Sequence, residues 1–451
     1  MRILAILFAI LPSLAFACAL PPSVITLLPT GPYIAGAALT VGLTVVLGAM
    51  ARSLPAMQAH LVFERRIWLP VTLISYISFV CVIGLVLIGF FGSRDPMHNL
   101  MTLIFWTGVW IALPLASMMF GNIWQWLNPW IAPVRIARTL IGRTGSMGLA
   151  RFDHWPAVAG YACFGWFQIA SLSPDDPTVL AQAAGLYWLV IFALAVADGE
   201  DWLQKGEFLT VFFGFIAKIA PVWLDLVENR ARLFGGLPGA QILLMPTLSR
   251  SAIAFVTLAL AILTFDGLSE TFWWMALIGQ NPLEFGGRSA VIWVNSVGLV
   301  TVWALTAALI LGILQISKYL GGHGFAAGPV MLSFLAIAAG YHAAHHLVTL
   351  LTTGQYTLAA LNDPLFRGDS LLGMPFAYVS FGFLAEGASM TLIYAVQFTA
   401  ILGAHVLAAM LALKLSLRSG AVRAVAHIPL TTLMVGYTIL GLWLLSTPRG
   451  I

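Results

Sequence analysis

The chain has 451 residues, 60% of them hydrophobic and only 8% charged, with 21 Lys and Arg against 17 Asp and Glu. A soluble globular chain carries about 25% charged residues. A water-soluble fold, a disordered chain, a disulfide scaffold and a nucleic-acid surface are therefore excluded, and the mean hydropathy of +0.96 agrees. The expected class is all-α: a polytopic helical membrane protein of about ten transmembrane helices plus interfacial or re-entrant segments, in one domain over residues 18–451 after a signal peptide.

Residues 1–17 carry one positive charge, an apolar stretch and the small-residue site Ala15-Phe16-Ala17, the pattern of a cleavable signal peptide. An uncleaved first span is the other reading, but Pro12 and Pro21-Pro22 leave it short. Cleavage after Ala17 puts the mature N-terminus outside. Ten later stretches have the length and apolarity to cross, at about 31–51, 70–91, 100–120, 155–173, 178–197, 246–265, 289–317, 325–352, 387–413 and 427–447.

An eleventh candidate, 207–227, has Lys218 and Pro221 inside it. Cytoplasmic loops carry the excess of Lys and Arg. If 207–227 does not cross, one side collects Arg52, Arg65, Arg66, Arg135, Arg138, Arg143, Arg151, Lys205, Lys218, Arg230, Arg232, Arg250, Lys318, Lys414, Arg418 and Arg423, whereas the other keeps Arg94, Arg288, Arg367 and Arg449. The expectation is ten spans in a bacterial inner membrane with both mature termini outside. Residues 121–134 and 270–288 are Trp-rich and read as interfacial or re-entrant, with Asn128-Pro129-Trp130 an interfacial anchor and turn. Cys81 and Cys163 read as small buried hydrophobes, since no Cys pattern indicates a redox or thiolate site. With no nucleotide-binding loop, the chain alone is not an ATP-driven pump.

Ionisable side chains inside a bilayer cost about 2.5–3.5 kcal/mol on insertion scales and call for a reason. His342, His345 and His346 fall on one face of the 325–352 span, in its outer half by this topology. Gln397 and His405 lie on the next span at similar depth, which makes the two helices expected neighbours. Asp266, at the outer end of the 246–265 span, and Asp363 and Asp369 of the outer loop are the carboxylates in reach. Imidazoles on two helices with a carboxylate suit a divalent metal of Zn, Mn or Fe type. The zincin pattern is absent, because no Glu follows His342. Proton transfer, a haem held by two spans, and plain hydrogen bonding between helices are the alternatives. A second candidate site is the acidic run 198–207, with Asp201 and Glu207; it reads equally as a solvated loop at a helix N-terminus. His60, His98, His154, His323 and His427 lie in loops or at span ends and receive no role.

Several pieces run in the same order as in a known family. They are Leu28-Pro29-Thr30-Gly31-Pro32-Tyr33, Leu127-Asn128-Pro129-Trp130, Asp201-Trp202 with Gly206-Glu207, and Thr264-Phe265-Asp266-Gly267. Gly340-Tyr341 with Ala344-His345 and Gly354-Gln355, then Asp363-Pro364 with Gly368-Asp369, and finally Gln397 and His405, complete the series. In these the chain resembles the bacterial integral-membrane fenitrothion hydrolases, which hydrolyse organophosphates. The resemblance implies cleavage of a P–O aryl bond in an apolar phosphotriester reached from the lipid, with release of a nitrophenol-like group. It ranks His345 and His405 above His346, where relatives often carry an aromatic. His345, His405 and one of His342 or Asp266 would hold the metal, Asp266 or Asp363 would take the proton, and Gln397 would orient a ligand. The rival reading is a secondary transporter or a metal- or proton-conducting protein using the same histidines. A second membrane subunit is a further candidate partner.

Overall fold

The computed structural model describes residues 30–50, 56–66, 70–227, 230–282, 284–322, 325–374, 379–419 and 423–447. The signal-peptide reading and Cys18 lie outside the described residues. The long helices are α1 (Thr30–Met50), α2 (Val71–Phe91), α3 (Leu100–Phe120), α4 (Ile131–Leu140), α5 (Trp155–Ala170) and α6 (Pro177–Asp198). They continue as α7 (Phe208–Ile219), α8 (Arg250–Ser269), α9 (Arg288–Gly321), α10 (Ala327–Asn362), α11 (Gly387–Ser416) and α12 (Ala424–Ser446). Among the described residues nine are long and apolar enough to cross a membrane: α1, α2, α3, α6 and α8 to α12. The protein is an all-α polytopic membrane protein.

The tenth expected span is shorter than the sequence suggests. α5 has 16 residues, about 24 Å of helix against a hydrocarbon core of about 30 Å. Its ends are nevertheless tied to opposite ends of the bundle. The His154 N–H before it donates to Ser251 Oγ at the start of α8 (3.1 Å), and the Arg288 guanidinium at the start of α9 donates to the carbonyls of Gln168 (3.0 Å) and Ser171 (3.2 Å).

The doubtful stretch 207–227 does not form one long helix. α7 stops at Ile219, and the chain turns into β2 (Val222–Val227). This strand joins β1 (Ala59–Arg66) and β3 (Arg230–Gly236) in an antiparallel sheet of order β1-β3-β2. No strand was expected from the sequence. The reason is that the sheet is assembled from two distant loops, with Glu64 of β1 accepting from Arg230 (2.9 Å) and Arg232 (3.0 Å) of β3. An open sheet has unpaired edge groups that hydrocarbon cannot satisfy, so the sheet marks a polar end of the bundle. Arg65 and Arg66 of β1 and Arg230 and Arg232 of β3 lie in this sheet.

Lipid is as apolar as a protein interior, so span helices need no apolar stripe; close packing of small residues decides which face turns inward. α8 is the most buried span and α2 the least. α10 and α11 pack where Gly340 meets Ala404: a Cβ on Gly340 would lie 2.1 Å from the Ala404 Cβ and 2.8 Å from the Ala400 carbonyl oxygen. Cys81 and Cys163 are exposed on the outer surface instead of buried; a thiol facing lipid costs no more than one facing the core. The Trp-rich run 121–134 is also corrected. Trp124 and Trp130 are 6% and 2% exposed and packed inside the protein. Trp124 stacks on Phe213 at 5.0 Å and Trp130 Nε1–H donates to the Trp188 carbonyl.

In the loop before α5, the Asp153 carboxylate accepts from Ser249 and Ser251 and lies beside Lys205 and His154. Partial burial would raise this carboxyl, but those donors outweigh it and hold it well below the usual carboxylate range. A carboxyl whose folded value is depressed contributes stability above its unfolded pKa of about 3.9, and that contribution fades as the pH falls further. Asp153→Asn should therefore melt earlier than wild type in detergent at pH 7, with the deficit shrinking below about pH 4. Gly340→Ala should destabilise by about 1–3 kcal/mol through overpacking. Gly436→Ala, whose Cβ would meet nothing within 4 Å, should leave the melt unchanged.

Candidate metal centre

Three of the residues singled out in the sequence converge. Asp266 near the end of α8, and His345 and His346 of α10, each offer one ligand atom, all within 4.8 Å of one another. Among the described residues this is the one group of three such side chains that could hold a metal. His345 Nε2–H donates to Asp266 Oδ2 at 2.8 Å, with the two side chains 5% and 13% exposed. With the proton on Nε2, the neutral ring has its lone pair on Nδ1, a buried atom with no hydrogen-bond partner among the described residues. Carboxylate–histidine pairs of this kind set the tautomer and the aim of a metal-binding imidazole.

Gly267 makes the approach possible. A Cβ there would lie 2.8 Å from the Tyr341 hydroxyl, so a larger residue would push against the tyrosine that stacks on His345. Tyr341 stacks on His345, with ring centroids 5.8 Å apart and planes at 21°. A tetrahedral ion with bonds of about 2 Å needs its donors roughly 3.3 Å apart. The rings and carboxylate must therefore close in slightly to bind.

His342 faces a different partner. Its Nε2–H donates to the Trp110 carbonyl at 3.0 Å. Trp110 lies in a π-helical stretch of α3, Ile104–Ala112, so the imidazole ties α10 to the widened turns of that helix. His342 also meets His346 edge-on at 4.6 Å between centroids, and His346 meets His345 at 4.8 Å, so the three rings form a row.

The other expected site residues do not join this group. His405 Nδ1–H donates to the Ile401 carbonyl one turn back on α11. Its Nε2 meets no partner among the described residues, and His405 lines a small apolar pocket with Tyr341 and Tyr437. Neighbouring helices were correctly expected, but equal depth does not bring side chains together when their faces differ. Gln397 clamps α11 to α10 by donating to the Ala344 carbonyl at 2.9 Å. Asp363 accepts from the backbone N–H of Arg367 (2.9 Å) and Gly368 (2.7 Å). Those bonds hold its carboxyl below the usual range and fold its own exposed loop. Asp369 is exposed.

The second candidate site also comes apart. Asp201 is exposed. Glu207 is fully buried and caps α7, accepting from Tyr187 Oη–H, the N–H of Leu209 and Thr210, and Thr210 Oγ1–H. Four donors occupy the carboxylate, which leaves an ion little to bind. Asn128 extends the same network by donating to Thr210 Oγ1 at 3.0 Å, and its carbonyl accepts from Ser75. Sequence reading missed Trp110 and Gly267 as parts of the histidine site.

No protein-family model matches the chain, and neither the curated proteins nor the solved structures contain a match. Titration of the purified, metal-free protein with Zn²⁺ should show one tight site. His345→Ala and His346→Ala should abolish it, and Asp266→Asn should weaken it by about 10–100-fold. His405→Ala should leave it unchanged.

Proposed function

We propose that the chain is a membrane-embedded hydrolase of apolar phosphotriesters, with Asp266, His345 and His346 holding a divalent cation of Zn or Mn type. The observation that carries this reading is that Asp266, His345 and His346 each bring one ligand atom within 4.8 Å of the others in a buried place, with Asp266 Oδ2 and His345 Nε2 already 2.8 Å apart. The motif resemblance to fenitrothion hydrolases supports the substrate class. A bound cation would supply hydroxide near neutral pH and polarise the phosphoryl oxygen. With no cation held, Asp266 accepts from His345 Nε2–H, and Tyr341 backs the ring. His342, bonded to Trp110, anchors α10 against α3. In the proposed orientation the sheet end is cytoplasmic and both mature termini are outside, which puts the centre in the outer half of a bacterial inner membrane, within reach of substrate dissolved in lipid.

One observation favours a second reading, a proton- or cation-conducting transporter. The row His345, His346, His342 ends on a carbonyl in the π-helical stretch of α3, and interrupted spans beside ionisable groups are common at transport sites.

Washed membranes expressing the chain should release the coloured nitrophenol from fenitrothion. Asp266→Asn and His345→Ala should lower that rate by about 10–100-fold or more, and His405→Ala should retain most of it. Full activity in the first two variants would rule out this centre. Inactivity of every form, together with proton-gradient-driven uptake in proteoliposomes, would establish the transporter.

A further inference from the structure

At the sheet end lies a cavity of about 320 Å³, walled by α7, β2 and the loops around Asn122 and His154. It exceeds by far the roughly 30 Å³ that a water takes in the liquid, and it has the size of a small-molecule site. Its lining is polar, unlike the apolar pocket beside His405, and it includes Lys218, Asp225, Asn122 and Gln204. Two features point to a ligand. Lys218 forms no hydrogen bond or ion pair with any described residue, and Asp225, near enough to act on it electrostatically, does not pair with it. Opposite charges that share a cavity without meeting match a ligand that carries both. The second feature is Asn122 Oδ1, a buried acceptor that no donor among the described residues reaches.

We propose that this cavity binds a small aminoalkyl phosphate zwitterion, its phosphate on Lys218 and its ammonium on Asp225 and Asn122. The phosphate finds a point charge suited to it. The ammonium finds a carboxylate and an unused amide oxygen. The cavity adjoins the sheet, whose open edges belong at the polar boundary of the bilayer. The same chemistry therefore has two sources, a free solute such as O-phosphoethanolamine or the headgroup of phosphatidylethanolamine. The site is separate from the histidine centre and does not depend on the hydrolase reading.

The test uses the full chain purified in detergent. Calorimetric titration with O-phosphoethanolamine is run beside glycerol 3-phosphate, and native mass spectrometry compares retention of phosphatidylethanolamine with phosphatidylglycerol. The zwitterionic probe, free or as lipid, should bind saturably and about tenfold or more tighter than its anion-only counterpart. Lys218→Gln and Asp225→Asn, each with a wild-type melt, should each weaken it by about tenfold or more. Binding of the free probe assigns a solute, and retention of the lipid alone assigns a headgroup; both support the site. Absence of saturable binding by either zwitterion, equal binding of the anion-only probes, or unchanged affinity in both variants would overturn it.

Discussion

Hydrocarbon offers no hydrogen bonds, so each backbone amide or carbonyl left unpaired in a bilayer costs several kcal/mol. Much of this architecture follows from that cost. The long segments are helical because a helix satisfies its own backbone, and the one sheet sits at an end of the bundle because its edges cannot enter lipid. The exceptions inside the bundle are each repaired by a side chain. The Trp110 carbonyl, in the π-helical stretch of α3, accepts from His342 on another helix. α7 starts deep in the protein, and its free N-terminal amides are closed by the Glu207 carboxylate.

These repairs determine where chemistry remains available. His342, Glu207, Gln397 and Asp363 are polar groups in apolar or loop surroundings, and each spends its hydrogen bonds on holding the fold. His345 differs in its partner: its Nε2–H donates to a carboxylate, Asp266, with His346 beside it, while Nδ1 of His345 and of His342 alike meets no partner among the described residues. A polar residue in a membrane thus has two explanations, structural repair and reactivity, and the partner of each atom separates them.

Much of this was legible in the chain. Length and apolarity located nine of the ten expected spans, since a crossing helix needs about 20 apolar residues whatever its neighbours. The charge bias argued against a span at 207–227, and the helix there, α7, ends at Ile219, short of span length. Helical spacing put His342, His345 and His346 on one face, and Asp266 was named as the carboxylate in reach. What spacing could not supply was the ring direction: His345 turns to Asp266, His342 turns to Trp110, and His405 turns to its own helix. The burial of Trp124 and Trp130 was hidden for a related reason, because Trp suits a headgroup and a protein core equally well.

By itself, then, the sequence determined the class of protein, its helices, their sidedness bias and the short set of residues from which a site had to be drawn. Each of these rests on local composition and on the energetics of transfer into lipid, which need no knowledge of partners. Only the tertiary structure decided which members of that set meet. Contacts such as Asp266 with His345, or β1 with β3, join residues far apart in the chain. They depend on close approaches, Gly340 against Ala404 and Gly267 beside Tyr341, that are set by helix packing.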